Sequence, residues 1–508
     1  RHVRCRASDP VTRRTRSLLQ QAYMLRQGGV NSRVVNGAGY QFLGIATRTF
    51  LTIGSTAVLA RLLTPSDFGY VAMATVVTEF ANLFGSFGFT NVLIQRRVIN
   101  RLQCDTVFWA TLAVGTTIAV GVFIASYFSH WLFADAQVAP LLQVMSLTFV
   151  LNSLSAIPTV TMSRLMLFGA TFWIGMALMF IRTGTAIACA YAGMGLWSLV
   201  AGSLASGVAN VVLKFAVAPH WPRWRFDLAL LKSTWRTSGG YFGNTALYYV
   251  SMSLDLLLIG RQLGPTALGY YQNARSLTDE IRGRIAVPIE SVLFPAMSSL
   301  QADLQRFQLL VLRAGRLLAA LVVPIGVGVS ANARELVLVL YGSQWLEMIP
   351  VMSMFGLSAA LRAGTAISAP LFYATDRVAL AMKYNAIGTV LTVAGVLVAM
   401  PHGLEAVALA VALASLYTLV GFVVAFSLIE LRWRSVLQVL GPPFLASLVM
   451  WVATALLRRI DWVAAPSVLL LGHVAVGAVV YLVGLHLLSR QYLQDVLQVK
   501  ALLLRRKA

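Results

Sequence analysis

Ala60-Arg61-Leu62-Leu63-Thr64-Pro65-Ser66-Asp67-Phe68-Gly69-Tyr70 recurs later in the chain as Gly260-Arg261-Gln262-Leu263-Gly264-Pro265-Thr266-Ala267-Leu268-Gly269-Tyr270. Arg, Leu, Pro, Gly and Tyr keep one register, with an offset of 200 (261 − 61). Each copy lies between two long apolar stretches, which indicates a duplicated pair of membrane-embedded helices. Pro and Gly at these positions favour a tight turn between helices over a contact with a ligand.

The duplication extends beyond this motif. Residues 133–135 and 141–147 are matched by 340–342 and 348–354, and 195–197 has a weaker counterpart at 403–405. Six predicted spans therefore repeat as six in the same orientation. Parallel repeats related by an axis along the membrane normal are typical of transporters. The pattern indicates carriage of a cargo rather than chemistry.

Composition places the chain in a membrane. Hydrophobic residues make up 58% of the 508 residues and charged residues 11%, whereas a soluble domain has roughly a quarter charged residues. Runs of about 20 apolar residues recur along the whole chain. They predict 14 spans near 39–59, 70–95, 107–128, 138–160, 168–191, 195–216, 237–260, 269–297, 310–330, 348–371, 379–400, 403–428, 440–457 and 465–488.

The expected fold is an all-α polytopic membrane protein with about 14 transmembrane helices. Two parallel six-helix lobes surround a central cavity, and a C-terminal helix pair is added. The predicted segments are a basic cytoplasmic tail (1–38), an N-lobe with its linker (39–235), a C-lobe (236–435), spans thirteen and fourteen (436–490) and a second basic tail (491–508). Met24 is a candidate start, in which case residues 1–23 are not native.

The positive charges predict the orientation. Of the 40 Lys and Arg residues, 29 fall on the side of the two termini, 5 on the opposite side and 6 within the spans. Because positively charged loops stay in the cytoplasm, both termini are expected there. The net charge of +22 therefore reflects membrane topology, and no nucleic-acid partner is expected. The linker segment 220–225, with Trp beside Arg and Pro, is interpreted as lying at the lipid headgroups.

The sequence offers no catalytic or metal-binding pattern. Its three cysteines and six histidines lack disulfide or metal-ligand spacing, so no metal and no cofactor are expected. A Ser/His/Asp or paired-carboxylate site would need a hydrophilic domain, and the longest predicted outer segment, 331–347, is short. We therefore expect a protein that is not an enzyme.

Ionisable residues inside the spans are the candidate functional groups, because charge in a membrane is costly unless it faces a cavity or a partner. The predicted spans contain eleven such residues, and span eight carries six of them. Four of them lie within about 80° of one another around the helix: Arg275, Asp279, Arg282 and Glu290. Glu280 and Arg284 form an i,i+4 pair elsewhere on this helix, and mutual pairing is the favoured interpretation for them.

The intramembrane cations are all Arg, whose planar guanidinium suits bidentate contacts with phosphate. An anionic cargo such as a diphosphate is therefore expected. The candidate substrate-binding residues are Arg48, Arg182, Arg275, Arg282 and Arg362. Glu79 and Asp279, which are 200 positions apart, are candidates for coupling or gating by a proton or sodium ion. Arg48 is placed to pair with Glu79. The alternative is that these charges only pair with one another and lock helices together.

The chain resembles a known family in its motifs Ala60 to Gly69, Asp255 to Gly264, Leu268-Gly269-Tyr270-Tyr271 and Phe294-Pro295-Ala296-Met297-Ser298. These resemble the polysaccharide transporter family, the Wzx-type flippase branch of the multidrug/oligosaccharidyl-lipid/polysaccharide exporter superfamily. The similarity is to colanic-acid and other exopolysaccharide members, and it extends from about residue 36 to 490.

The resemblance implies a flippase for undecaprenyl-diphosphate-linked oligosaccharide repeat units, used in exopolysaccharide, capsule or lipopolysaccharide biosynthesis. It implies alternating access in a bacterial cell inner membrane, with membrane lipids and a polysaccharide polymerase and co-polymerase as candidate partners. Three alternatives stay open: a cation-coupled multidrug exporter of the same superfamily, a flippase for a lipid-linked peptidoglycan precursor, and a membrane polymerase or ligase of lipid-linked glycans. A cavity rich in carboxylates would favour the exporter, and a long outer loop would favour the enzyme.

Overall fold

The protein is built from helices. The computed structural model describes residues 47–85, 90, 93–94, 96, 98–133, 135–459, 465–489 and 492. Within these ranges no β-strand occurs, which agrees with the predicted all-α class. The predicted tails, 1–38 and 491–508, lie outside the described residues apart from Tyr492.

Several helices coincide with predicted spans. In the first part of the chain they are 47–62, Pro65–Gly85, Arg101–Ser126, Ser129–Phe133, Val138–Met145, Leu147–Leu154, Ala156–Arg164, Phe168–Tyr191 and Trp197–Val217. In the second part they are Leu228–Ser299, Leu304–Ala331, Ala333–Leu340, Met348–Leu361, Thr365–Ala374, Val378–Ala399, Leu404–Ala414, Tyr417–Ser427, Trp433–Leu457 and Pro466–Leu488. Short 3₁₀ turns begin at Ser343, Arg362 and Met400.

The number of spans is supported only in part. Ten described helical segments are long and apolar enough to cross a membrane, and a bent pair over 138–164 makes up to eleven. Predicted spans seven and eight both fall in helix Leu228–Ser299, which carries charged residues. Span one starts before the described residues. The count of 14 and the arrangement of two lobes therefore stay predictions.

The chain divides into two compact units. An N-terminal unit contains residues 1–55 and 70–253, and a C-terminal unit contains 56–69 and 254–508. The predicted lobe boundaries stay predictions. The first copy of the duplicated motif, up to Gly69, thus belongs to the same unit as the second copy.

The N-terminal unit is held by helix pairs and by one buried arginine. Helix Phe168–Tyr191 packs along helix Trp197–Val217. The Arg164 guanidinium is buried and donates hydrogen bonds to the backbone carbonyls of Leu93 (2.7 Å) and Ile94 (3.2 Å). Backbone carbonyl groups are costly in an apolar medium unless they accept hydrogen bonds, so this arginine compensates two of them.

The core of the C-terminal unit surrounds helix Leu304–Ala331. This helix packs against Met348–Leu361 and Trp433–Leu457, and its buried face carries mainly Val, Leu and Ala. Val322 and Ile325 of this helix lie beside Arg282 of helix Leu228–Ser299.

Candidate functional site

The candidate site lies on the second half of helix Leu228–Ser299. Gly264 breaks this helix with a φ of 83°, a left-handed value that glycine adopts without steric cost. Pro265 follows the break, and proline suits the first turn of a helix because its missing N–H needs no partner there. Four polar residues then lie on one side of the second half, at spacings of four, four and three: Tyr271, Arg275, Asp279 and Arg282.

Asp255 receives the first two of these side chains across the break. Its Oδ2 atom accepts a hydrogen bond from the Tyr271 hydroxyl (2.8 Å) and one from Arg275 Nη1 (2.6 Å). Its Oδ1 atom accepts from the backbone N–H of Leu256 (2.9 Å). Asp255 and Tyr271 are buried. A buried carboxylate with an Arg partner and two further donors is well compensated, so this triad has a structural role.

Asp279 is shared among three arginines. Its carboxylate lies 3.7 Å from Arg275 Nε, 3.7 Å from Arg282 Nε and 3.9 Å from Arg362 Nη1. These distances exceed those of good hydrogen bonds, and the Asp279 side chain is 37% exposed. The contacts are therefore ionic and adjustable, in contrast to the tight triad at Asp255.

Three arginines (275, 282 and 362) face two aspartates (255 and 279), and Arg282 also lies close enough to Glu290 to interact with it electrostatically. Because arginines can exchange a carboxylate for another anion, this cluster suits an anionic ligand. We refer to Asp255, Tyr271, Arg275, Asp279, Arg282 and Arg362 as the arginine cluster.

Arg282 is the member best placed to receive a ligand. Its Nε atom is buried and has no hydrogen-bond partner among the described residues. It borders a recess whose other walls are mainly apolar and include Ile285, Val322 and Ile325. A buried donor without a partner is unfavourable, so a phosphate oxygen at this place would gain from the contact.

The remaining pair on this helix is self-contained. Arg284 donates a hydrogen bond from Nε to Glu280 Oε1 (2.9 Å), and a second one from Nη2 to the same oxygen. The predicted i,i+4 pairing of these two residues is thereby confirmed, and they take no part in the arginine cluster.

Three predicted site residues lie in the N-terminal unit, away from these contacts. Arg48, Glu79 and Arg182 are all exposed. The Arg48 guanidinium lies directly over Gly175, where a side chain would collide with it. Both residues belong to the part of the chain that the structure describes, and the expected ion pair between Arg48 and Glu79 is not formed there. The roles of all seven predicted site residues stay predictions, and the structure brings four of them together: Arg275, Asp279, Arg282 and Arg362.

The two copies of the duplicated motif contact each other. Gly69 packs against the backbone carbonyl of Pro265, and Gly269 packs against that of Pro65. Each glycine occupies a place in which a Cβ would overlap the carbonyl. The Pro and Gly of the motif therefore serve the contact between copies as well as the turn.

Trp345 seals this contact. Its fully buried ring meets Phe68 and Tyr270 edge-on at centroid distances of 5.4 Å and 5.8 Å. Its Nε1 atom donates to the Ala60 carbonyl at 2.9 Å. Arg61 is the first position that is identical in both copies of the motif, and its guanidinium donates to the carbonyl of Val339 (2.7 Å). Residues 339–345 thus hold the first copy of the motif in place.

Comparison with protein families identifies the chain. Residues 58–350, more than half of the chain, match the family described as "Polysaccharide biosynthesis protein". The chain belongs to this polysaccharide biosynthesis protein family. The match begins at the first copy of the motif and covers most of the arginine cluster, which confirms the family resemblance inferred from the motifs.

Curated relatives include transport proteins. The succinoglycan biosynthesis transport protein ExoT of Rhizobium meliloti (strain 1021) is 26% identical over 92% of this chain and 96% of its own length. The lipopolysaccharide biosynthesis protein WzxC of Escherichia coli (strain K12) is 25% identical over 71% of this chain and 74% of its own. As expected from the sequence, this polysaccharide biosynthesis protein is a membrane transport protein rather than an enzyme.

Solved structures share its fold. The lipid II flippase MurJ in an inward closed conformation has a TM-score of 0.71 at 14% identity, with 90% of this chain and all of MurJ covered. An inward-facing multidrug resistance transporter of the MATE family, in the MOP superfamily, has a TM-score of 0.58 at 15% identity, covering 77% and 95%. At these identities the likeness concerns the fold alone.

Sequence reasoning missed Tyr271 and the role of Asp255 in this polysaccharide biosynthesis protein. Asp255 lies within predicted span seven, but its partners lie 16 and 20 positions away, beyond the helix break. The signal was present, because Tyr271 precedes Arg275 by four residues and therefore shares its face. The direction of the chain at Gly264, which brings Asp255 to that face, could not be inferred.

Proposed function

We propose that this protein translocates a lipid-linked oligosaccharide with a diphosphate headgroup, of the undecaprenyl-diphosphate type, across the bacterial inner membrane by alternating access. Its termini lie in the cytoplasm, and the cargo moves from the cytoplasmic to the periplasmic leaflet. The family assignment supports polysaccharide biosynthesis as the process, and the charge distribution of the loops supports the orientation.

The single observation that carries this proposal is the buried Nε atom of Arg282, which lies in a cluster of three arginines and makes no hydrogen bond within the part of the chain that the structure describes. A guanidinium in a largely apolar recess binds phosphate oxygens strongly, because charge-assisted hydrogen bonds gain strength away from water. The apolar walls beside Arg282 favour a ligand whose charge is joined to an apolar part. A polyprenyl diphosphate has this character.

Asp279 supplies a release step. A diphosphate that engages Arg282 and Arg362 competes with Asp279, whose contacts with both arginines are long. The displaced carboxylate would return to the arginines once the site opens to the periplasm, and its return would expel the cargo. The Asp255 triad keeps Arg275 in place during this exchange.

The proposal is tested with purified protein in proteoliposomes that contain fluorescent undecaprenyl-diphosphate oligosaccharide. We expect Arg282→Ala to slow translocation by about 10- to 100-fold, since a charge-assisted contact contributes about 1.5–3 kcal/mol. Arg284→Ala is the matched control, because it removes an arginine from the same helix outside the cluster. Equal rates in the two variants would contradict the proposal.

A second measurement separates cargo classes. Cells depleted of the protein are expected to accumulate the lipid-linked glycan on the cytoplasmic leaflet and to lose surface polysaccharide. Accumulation on the periplasmic leaflet would indicate a polymerase or ligase instead. Sensitivity to cationic drugs without accumulation would indicate a multidrug exporter.

A further inference from the structure

The triplet Arg-Trp-Arg occurs twice, as Arg223-Trp224-Arg225 and Arg432-Trp433-Arg434. The offset of 209 (432 − 223) continues the drift of the internal repeat, whose other matched segments lie 200 to 208 positions apart. The first triplet follows helix Trp197–Val217, and the second follows helix Tyr417–Ser427. Both triplets therefore occupy the same place in their repeat, just after its last span.

The first triplet presents its indole to the outside. Trp224 is 86% exposed, yet its ring stacks on Trp109 at a centroid distance of 4.1 Å and an angle of 21°. Trp109 Nε1 also donates to the carbonyl of Arg223 (2.9 Å), and both arginines of the triplet are exposed. An exposed indole held by a second ring is preorganised for a contact.

The chain around this triplet is fastened to the start of helix Arg101–Ser126. His220 is buried with its Nε2 atom 3.1 Å from Asp105 Oδ1. Arg101 donates to the carbonyl of Trp221 (3.2 Å), and the N–H of Asp227 donates to Thr106 Oγ1 (3.1 Å). We call residues 218–227 the strap. Its attachment keeps the triplet at the end of two spans.

The second triplet has the same chemistry on a different support. Trp433 begins helix Trp433–Leu457 and is 58% exposed. The Arg434 guanidinium lies 5.9 Å from the centre of the Trp433 ring, within the range of a cation–π contact. Leu437, one turn further on, is also exposed. An apolar surface thus adjoins the two arginines.

We propose that both triplets are binding sites for the headgroups of anionic phospholipids at the inner surface of the membrane. Tryptophan prefers the headgroup level, and arginine near it attracts anionic lipid. The exposed apolar neighbours favour a lipid over free phosphate, because they contact acyl chains. One carboxylate lies two residues from each triplet, Asp227 and Glu430, so each site retains a net charge of +1. This inference goes beyond the transport of cargo.

The test uses the full-length protein in detergent, titrated with phosphatidylglycerol or phosphatidylcholine, with bound lipid counted by native mass spectrometry. Arg223→Gln with Arg225→Gln, and Arg432→Gln with Arg434→Gln, are each expected to weaken phosphatidylglycerol binding at one site by about 30-fold, about fivefold per arginine. Binding of phosphatidylcholine is expected to stay unchanged.

Arg377→Gln with Lys383→Gln is the matched control, since it removes two exposed cations with no tryptophan between them. An equal loss in this control would overturn the proposal, because bulk charge would then explain the binding. Competition by excess inorganic phosphate would overturn it as well. Unchanged melting of each variant in phosphatidylcholine nanodiscs excludes misfolding. No cargo is present, so failure here is independent of failure of the proposed transport.

Discussion

Gly69 lies directly against the backbone carbonyl of Pro265, and the equivalent atoms meet again where Gly269 lies against Pro65. The contact is reciprocal, as at an interface between two copies of one subunit. Each copy needs both residues, a glycine without a Cβ and a proline whose carbonyl faces outward. This explains why the motif keeps one register in both halves of the chain.

The tyrosine after each glycine makes a corresponding contact. Tyr70 donates a hydrogen bond to Asp135 Oδ2 (2.8 Å), and Tyr270 donates to the carbonyl of Gln344 (3.4 Å). Asp135 and Gln344 lie in matching connections of the two repeats. The tyrosine of each copy is therefore held by its own repeat, while the glycine and the proline contact the other copy.

Gly69→Ala is expected to destabilise the protein by about 1–3 kcal/mol, because the new methyl group overlaps the Pro265 carbonyl and the backbones must separate. The measurement is the thermal unfolding midpoint of the purified protein in detergent. Gly121→Ala is the control, since nothing lies within 4 Å of a Cβ at that position. Equal midpoints for the two variants would show that Gly69 is not tightly packed.

Several spans could be predicted from sequence because their limits depend on composition and spacing. Helix Phe168–Tyr191 has the predicted limits of 168–191, since its apolar run is bounded by turn residues on both sides. The contact between Gly69 and Pro265 could not be predicted. A repeat shows that two segments are equivalent, whereas their mutual packing depends on the path of the chain between them.

The arginine cluster shows the same limit. The helical period placed Arg275, Asp279 and Arg282 on one face, and the structure agrees. Arg362 contacts Asp279 from a 3₁₀ turn after helix Met348–Leu361. The periodicity of a single helix cannot predict a contact with a residue of another element. Arg48 was expected to pair with Glu79 at similar depth, but depth alone does not fix the rotation of two helices about their axes.

Asp255→Asn is expected to destabilise the protein by about 3–5 kcal/mol, because it leaves Arg275 buried without its carboxylate. Arg275→Gln should have a similar cost for the converse reason. The double variant should cost less than the sum of the two, since the pair shares one interaction. Unfolding midpoints of the four proteins test this cycle, and strict additivity would contradict the pairing.

Arg282→Ala is expected to lower polysaccharide export more than Glu280→Ala. The Nε atom of Arg282 is buried in the arginine cluster and makes no hydrogen bond among the described residues, whereas Glu280 pairs with Arg284 outside the cluster. Surface polysaccharide of complemented cells is the measurement, with protein abundance matched by immunoblot. Equal export by the two variants would contradict the role of Arg282 in cargo binding.

Attachment of the strap is expected to weaken in acid. Burial lowers the pKa of His220 from its ordinary value of 6.5, an effect that nearby Arg101 reinforces and that outweighs the opposite influence of Asp105. A detached strap would therefore bind a proton more readily than an attached one, so attachment of the strap becomes less favourable as the pH falls below about 6.5.

Hydrogen exchange of residues 218–227, corrected for the intrinsic rate at each pH, measures how firmly the strap is attached. Exchange should speed up between about pH 6.5 and 5 in the natural protein and in His402→Gln, whose histidine is exposed. The acceleration should vanish in His220→Gln, and its persistence there would assign the pH response to another group.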